Sequence, residues 1–559
     1  MHESLVYKDP VSFWKTWKSK VCKSNNSKII LNGNQNDAES AKGFAQFFCK
    51  TTTPNSASFD AEQKMKFTER LSDYYGDLLS QNLYTFSSEL IACSMENLSL
   101  GKSGGIDTLT KEDLFYSHPI ICSLYSILFN YMLRYSYVPK QFGKGITIPI
   151  PKGDNTKGGH NIDSFRGITL SPVVSKLFEH CILTMFSRYF KSCDSQFGFK
   201  SKIGCTHAIF AVRKIVEFYV ENNSTINLCF MDISKGFDKV NNYVLLLKLM
   251  KRNLPVSLIK LLYYWFSISS NQVRWCNVLS DPYKLLAGVR QGGILSPVLF
   301  SIYIDDFVKA FNKRGCRYKG LSASIIVYAD DILLLSPTLH ELQCMINMCK
   351  TELDLLDLMV NPKKTIALRI GNRFKFDCCH VTVDNSQIDW AKEAKYLGMH
   401  ILSGPKFKCN LVKSKTKFYR SSNAILSKIG NQNNATVSIK LIASISLPSL
   451  TYSIEALKLN KSEIDTLDHP WCRSFQKVFK TFDSAVVKQC QLFTGYFPIG
   501  YYYTLRSLSF LLNMNSTDNI LLKCICSDNG RRDIEKFAAM LDCNNIDFFI
   551  LNYHRIVFN

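Results

Sequence analysis

Apolar and polar positions change rhythm along the 559-residue chain. In residues 1 to about 100, polar loops (Ser24 to Ser27, Asn32 to Asp37, Thr51 to Ser58) alternate with short amphipathic runs, which predicts an N-terminal extension or linker. From Gly101 onward strand-like and helix-like text alternate. Gly145 to Ile150 is an apolar, β-branched run ending at Pro151, and Pro172 to Phe190 has helical apolar spacing. An α+β or α/β domain is expected from there. The uncharged stretch Leu114 to Leu133 is long enough to span a bilayer, but His118, Pro119, three serines and Asn130 predict a buried helix instead.

Three later segments each place a polar residue where an apolar one would be locally easier, and such conflicts are where function is expected. In Leu228-Cys-Phe-Met-Asp-Ile-Ser-Lys-Gly-Phe-Asp-Lys-Val240 an apolar strand runs directly into Asp232. In Ala287-Gly-Val-Arg-Gln-Gly-Gly-Ile-Leu-Ser-Pro297 a glycine-rich loop leads into a helix, with Ser296 expected as N-cap, Pro297 in the first turn, and Leu299, Tyr303, Phe307 and Ala310 as its apolar stripe. Ser324-Ile-Ile-Val-Tyr-Ala-Asp-Asp-Ile-Leu-Leu-Leu335 reads as a hairpin whose tip carries Asp330 and Asp331.

Composition narrows the classes of function. With 68 Lys+Arg against 46 Asp+Glu, the formal charge is +22, which favours polyanionic partners, above all nucleic acid. The 46% hydrophobic and 13% aromatic content is that of a globular chain, long enough for about three or four domains. Twenty cysteines without rhythm, several of them in apolar runs, suggest a reduced, intracellular protein. No zinc spacing is present, and no signal peptide is legible between Met1 and Trp17.

Adjacent aspartates on a regular strand point to opposite faces, so only a turn can aim both at one place. If Asp232 meets them there, three carboxylates form an oxygen site for hard divalent cations. Mg²⁺ takes one or two carboxylates with waters and substrate phosphates, and two such ions serve in-line phosphoryl displacement. Alone, the Asp-Asp pair is commonly a solvated turn and the strand-end Asp a helix cap. Their order, with the glycine-rich loop between them and Phe237 five residues after Asp232, makes the combination specific.

At this point the sequence resembles a known family. Asp232-x4-Phe237, Arg290-Gln-Gly-Gly293 with Ser296-Pro297, and Tyr328-Ala-Asp-Asp331 are similar to reverse transcriptase motifs A, B and C, more specifically those of LINE-type (non-LTR) retrotransposons. Ile148-Pro-Ile-Pro-Lys152, Phe165-Arg-Gly-Ile-Thr-Leu-Ser-Pro172, Lys176-Leu-Phe-Glu179 and Gln196-Phe-Gly-Phe199 resemble the fingers motifs. Asn361-Pro-Lys-Lys-Thr365 and Tyr396-Leu-Gly398 resemble motifs D and E. The resemblance covers roughly residues 100 to 455.

It implies an α+β right-hand polymerase: an N-terminal extension over 1–100, fingers and an antiparallel-sheet palm over 101–400, a helical thumb over 401–480, and a C-terminal region over 481–559 without an assigned role. It implies that Asp232, Asp330 and Asp331 bind two Mg²⁺ ions, with Mn²⁺ as an alternative, and that Arg166 and Lys152 hold the incoming triphosphate. Gln291 and Gly292 would shape the nucleotide pocket, Phe237 would exclude a ribose 2′-OH, and Lys364 would give a proton to pyrophosphate, with Lys363 beside it not separable. The implied partners are an RNA template, a DNA primer or target and dNTPs, with no membrane role and protein partners unknown. Nucleus and cytoplasm are the expected locations.

Asp238, Asp305 and Asp306, also near motifs, read as structural. Between Ala394 and Ile454 nine basic residues occur with no Asp or Glu, which suits a duplex-tracking surface. Gly236 stands where the family usually has alanine, and Gly167 where it has proline. Nothing in the first 100 residues resembles the endonuclease domain that begins many LINE-type proteins, whereas Pro10 to Ser19 resembles the linker that follows it. The leading expectation is an RNA-directed DNA polymerase. Its alternatives are a catalytically silent nucleic-acid-binding remnant and a cellular reverse transcriptase of intron or telomere type.

Overall fold

The computed structural model describes residues 36–76, 84–152, 161–429, 434–514 and 516–527. The linker-like segment Pro10 to Ser19 lies outside them. Where an extension or linker was expected, α1 (Asp37–Thr51) starts under the Asn36 side-chain cap and buries Ala41, Phe44, Ala45 and Phe48. That i, i+3, i+4, i+7 stripe packs on Phe165, Val273 and Trp275, with Phe44 edge-on to Phe165 at 5.0 Å. Helix α2 (Ala57–Ser72) is tied to the distant Asp357, whose carboxylate accepts from the Asn55 N–H at 2.7 Å. Residues 36–76 are therefore part of the folded body.

Helices α3 (Ser88–Glu96), α4 (Lys111–Phe115) and α5 (Ile120–Tyr135) follow. The buried helix expected near Leu114 to Leu133 is α5, but only one side is covered. Phe129, Met132 and Leu133 are buried, whereas Ile120, Leu124, Ile127 and Tyr131 face outward. Apolar residues all round predict burial all round, and here only one face finds neighbours.

Strands β1 (Lys144–Pro151) and β2 (Phe165–Leu170) pair antiparallel, with Ile150 opposite Arg166. Helices α6 (Val173–Met185) and α7 (Cys205–Glu221) lead to β3 (Ile226–Asp232). After α8 (Asn242–Lys251) and α9 (Val256–Ser267), β4 (Ser270–Trp275) returns to lie parallel to β1 in the fingers sheet, with the short β5 (Val278–Leu279) and β6 (Tyr283–Lys284) on its far edge.

Next come α10 (Ser296–Tyr303), α11 (Asp305–Ala310), the small hairpin β7 (Arg317–Tyr318) and β8 (Leu321–Ser322), then β9 (Ile325–Tyr328), β10 (Asp331–Ser336), α12 (Leu339–Asp354) and β11 (Ile366–Ile370). The palm sheet runs β11-β3-β10-β9, antiparallel throughout. Because strand side chains alternate, Ile226, Leu228 and Phe230 enter the core beneath α7, while Cys229 and Met231 enter the core on the opposite face. Burial on both faces explains why β3 reads as a continuous apolar run.

A hairpin, β12 (Val381–Val383) and β13 (Ser386–Ile388), precedes the sheet of β14 (Glu393–Tyr396), β15 (Met399–Leu402) and β16 (Lys408–Cys409). The helical thumb consists of α13 (Leu411–Ile429), α14 (Ala435–Ile445), α15 (Leu447–Thr451), α16 (Lys461–Phe479), α17 (Ser484–Phe493) and α18 (Ile499–Met514). Ile499 and Tyr503 share one core with Phe418, Ile442, Trp471 and Phe475, so packing crosses residue 480, where a boundary was expected. Ala435–Ala456 is long and apolar enough to cross a membrane, but 61% of its 18-residue apolar window is buried inside the protein. Leu508, Phe510, Leu522 and Ile525 return to the palm beneath α7. The whole is an α+β right hand.

Candidate active site

The palm sheet brings the expected carboxylates to one end of its two central strands. Asp232 ends β3 and Asp331 opens β10, and the two are direct cross-strand partners, hence on one face of the sheet. The turn Ala329-Asp330 joins β9 to β10, with Ala329 in the left-handed region at φ 57°. Like charges opposite one another weaken a sheet, so this pairing is a local cost that folding alone does not explain. Burial raises the pKa of Asp330, and Asp232 adds to the rise. Asp331 is pushed up to about 6, first by burial of its carboxyl group and then by Asp330 and Asp232.

Cations face this cluster. Lys364 Nζ stands 3.5 Å from Asp232 Oδ2, and its turn is pinned where the Asn361 N–H donates to the Asp232 carbonyl at 2.8 Å. Of the two lysines left open by sequence, Lys364 is the one brought to the carboxylates. Arg166 is exposed on β2 and acts electrostatically on both Asp330 and Asp331. Lys152, at the end of β1, has its pKa lowered by burial and then by Lys364, Lys235 and Arg166, so these four cations lie within one field. Lys235 had no role from sequence. It adopts φ 53°, and its ammonium lies 4.4 Å from the ring centroid of Phe47 on α1.

The nucleotide-pocket residues expected from sequence also lie together. Phe237 stacks on Phe300 at 4.4 Å and meets Phe199 edge-on at 5.9 Å, which holds its ring in place. Gln291 donates from Nε2 to Asp238 Oδ1 at 2.9 Å, and its carbonyl accepts from the Thr169 N–H at 2.7 Å. Gly292 sits at φ 123° with the Thr169 carbonyl oxygen 2.5 Å from where a Cβ would be, so any side chain would collide with β2.

The cap of α10 differs from expectation. Leu295, not Ser296, is the N-cap residue, Ser296 is the first helical residue, and Pro297 stands in the first turn. The free N–H groups of Ile294 and Leu295 instead donate to Glu179 of α6, at 2.5 and 2.9 Å. Arg290 compensates this fully buried carboxylate and donates to the Phe142 carbonyl at 2.9 Å. Burial pulls the Arg290 guanidinium down to about 10, against the pull of Glu179. Glu179 lies on the buried side of α6 with Phe178, Cys181 and Ile182, which sets it apart from Lys176 and His180 on the same helix. Asp305 is buried between Arg252 at 2.5 Å and Lys309 at 2.6 Å, and Asp306 lies 3.1 Å from Lys248.

Among the described residues, no three His, Cys, Asp or Glu side chains come close enough to cage an ion unaided. Oxygen donors at a cleft, with Asp330 and Asp331 raised in pKa by burial first and by neighbouring carboxylates after it, still suit a hard cation that completes its shell with water and substrate oxygens. On α13, Lys413, Lys417 and Lys428 are exposed while Phe418 and Ile425 are buried, so the basic residues line the outer side of the thumb's first helix.

The model of the family "Reverse transcriptase (RNA-dependent DNA polymerase)" matches residues 150–401. The chain is 28% identical over 332 residues to the probable RNA-directed DNA polymerase from transposon BS of Drosophila melanogaster, covering 56% of this chain and 35% of that protein. It is 26% identical over 350 residues to the RNA-directed DNA polymerase from mobile element jockey of Drosophila funebris, covering 59% and 37%. The match thus spans about a third of the length of these curated relatives. A solved structure of telomerase from Candida albicans in complex with a telomeric RNA fragment covers 74% of this chain and 68% of its own, at TM-score 0.35 and 12% identity. Residues 150–401, which hold Asp232, Asp330 and Asp331 as well as Lys152, Arg166, Lys235 and Lys364, thus match the reverse transcriptase family, and the similar proteins are polymerases of mobile elements.

Proposed function

We propose that this chain is an RNA-directed DNA polymerase of a non-LTR element, extending a primer 3′-OH with dNTPs on an RNA template. The carrying observation is that Asp232 and Asp331 face each other across β3 and β10 with Asp330 in the adjoining turn, that Arg166 acts on Asp330 and Asp331 and Lys364 lies 3.5 Å from Asp232, and that Lys152 lies in the field of Arg166, Lys235 and Lys364. A site so divided has carboxylates for cations and cations for phosphates. Asp232, Asp330 and Asp331 would hold two Mg²⁺ ions, which when bound stabilise the attacking and leaving oxygens of an in-line displacement.

Arg166, Lys152 and Lys235 would neutralise the triphosphate, and the ammonium of Lys364 could deliver a proton to departing pyrophosphate. The Phe237 ring, fixed against Phe300, would occupy the space a ribose 2′-OH needs, so deoxynucleotides are preferred. The exposed lysines of α13 would follow the phosphates of the template–primer duplex. This chemistry implies work inside the cell, in nucleus and cytoplasm, which fractionation of the expressed protein would test.

The test is primer extension on a defined RNA template with dNTPs and Mg²⁺. Products that follow the template sequence to its end are expected. A folded chain that binds template–primer in a salt-sensitive way and adds nothing would be the catalytically silent remnant, and the polymerase reading would fall.

A further inference from the structure

Asp238 carries a carboxyl group that the reaction above leaves without a task. Burial raises its pKa, while Gln291, Lys235, Lys152 and Lys239 all act to keep it ionised. Its Oδ1 accepts from Gln291 Nε2 at 2.9 Å. The amide nitrogen of Gln291 is thus turned to Asp238, and its carbonyl oxygen Oε1 is the end that this hydrogen bond does not hold.

The main chain around Gln291 is fixed independently. The Thr169 N–H donates to the Gln291 carbonyl at 2.7 Å, the Val289 N–H to the Phe237 carbonyl at 2.8 Å, and the Gly288 N–H to the Val240 carbonyl at 2.7 Å. With the backbone clamped, the freedom left to Gln291 is the rotation and flip of its side chain, and that is what Asp238 restrains. Asp238 and Gln291 together line a half-open pocket of ≈ 30 Å³ whose other polar groups include Thr147, Thr169, Asn271 and Tyr283, large enough for a water. Gln291 itself is half-buried beside the exposed Gly292, so its free end borders the cleft that Phe237 shapes.

We propose that Asp238 is a positioning residue for nucleotide selection: it holds the Gln291 amide nitrogen inward so that Oε1 is presented to the sugar of the incoming nucleotide. A triphosphate offers only acceptors, whereas the deoxyribose 3′-OH is a donor, so the sugar hydroxyl is the group that complements this oxygen. The inference rests on the polymerase reading above.

The test is single-nucleotide insertion by the full chain, comparing kcat/KM for a dNTP with that for its 2′,3′-dideoxy analogue. Asp238→Ala is expected to reduce the preference for the 3′-hydroxyl about tenfold, the scale of one hydrogen bond, through a higher KM for the dNTP. Gln291→Ala should do the same, and the double variant should lose no more than either single variant. Asp238→Asn, which keeps the volume and one acceptor oxygen, should lose less than Asp238→Ala, and it carries the test if the alanine variant does not fold. Wild-type preference retained in both Asp238 variants, or losses that multiply in the double variant, would overturn the positioning role while wild-type insertion upholds the polymerase. Wild-type failure to insert would overturn both.

Discussion

Removing one charge from the carboxylate cluster should make the metal-free protein more stable. The Asp331 carboxyl is pushed from the ordinary 3.8 to about 6 by burial, Asp330 and Asp232, so the fold disfavours its ionised form. A shift of that size is nominally worth about 3 kcal/mol. Asp331 opens onto solvent at the cleft, however, and screening reduces the figure to about 1 kcal/mol. The sign follows from linkage. A carboxyl raised in the fold costs nothing while both states are protonated, below about pH 4, and the penalty grows toward pH 6 and is full above it. Asp331→Asn is therefore expected to match wild type near about pH 4 and to exceed it near about pH 8, by roughly 2 °C in Tm for a cooperative unit of about 250 residues. The assay is thermal unfolding followed by near-ultraviolet circular dichroism in EDTA. Adding Mg²⁺ should reverse the order at the higher pH, because wild type then gains binding energy the variant lacks. A variant no more stable than wild type at about pH 8 in EDTA, or a difference that ignores pH, would refute the repulsive cluster.

Other substitutions probe the surrounding frame. Phe237→Ala should raise ribonucleotide use relative to deoxynucleotide at least tenfold in steady-state kcat/KM, and an unchanged ratio would remove Phe237 from sugar selection. Gly236→Ala would place a Cβ 3.2 Å from the Phe300 ring on which Phe237 stacks, so a loss of about 1 kcal/mol in urea unfolding is expected, with weaker sugar discrimination. Glu179→Ala leaves Arg290 buried without its countercharge and two N–H groups unpaired, and should cost about 3–5 kcal/mol in the same measurement, with Glu179→Gln costing less. Each alanine at Lys413, Lys417 or Lys428 that removes a phosphate contact should lower the slope of log affinity against log salt by roughly 0.7 to 0.9, read by fluorescence anisotropy of a labelled template–primer.

Local chemistry was legible where one segment carries both the element and the conflict. The apolar run into Asp232, the hairpin at Asp330-Asp331 and the glycine at 292 could be read because strand, turn and close approach each follow from adjacent residues. Pairings between distant segments were not. Ser296 looked like a sufficient N-cap, and nothing nearby announced that Glu179, more than a hundred residues upstream, would take the free N–H groups instead. The hydrogen bond between Asp238 and Gln291 joins residues 53 positions apart. The first hundred residues read as an extension because the stripe of Phe44 and Phe48 gains meaning only against Trp275 and Phe165. Helix α5 failed in the opposite sense: its composition called for burial, and the fold leaves Ile120, Leu124 and Ile127 in solvent.

The reaction itself is tested most directly by Mg²⁺-dependent incorporation of labelled deoxynucleotides on poly(A)/oligo(dT), comparing the wild-type chain with one carrying Asp330→Ala and Asp331→Ala together. Incorporation by wild type that the double substitution abolishes, with template–primer binding retained, is the expected result. Equal incorporation by both, or none by a folded wild-type chain that binds the template–primer, would contradict a polymerase centred on these aspartates.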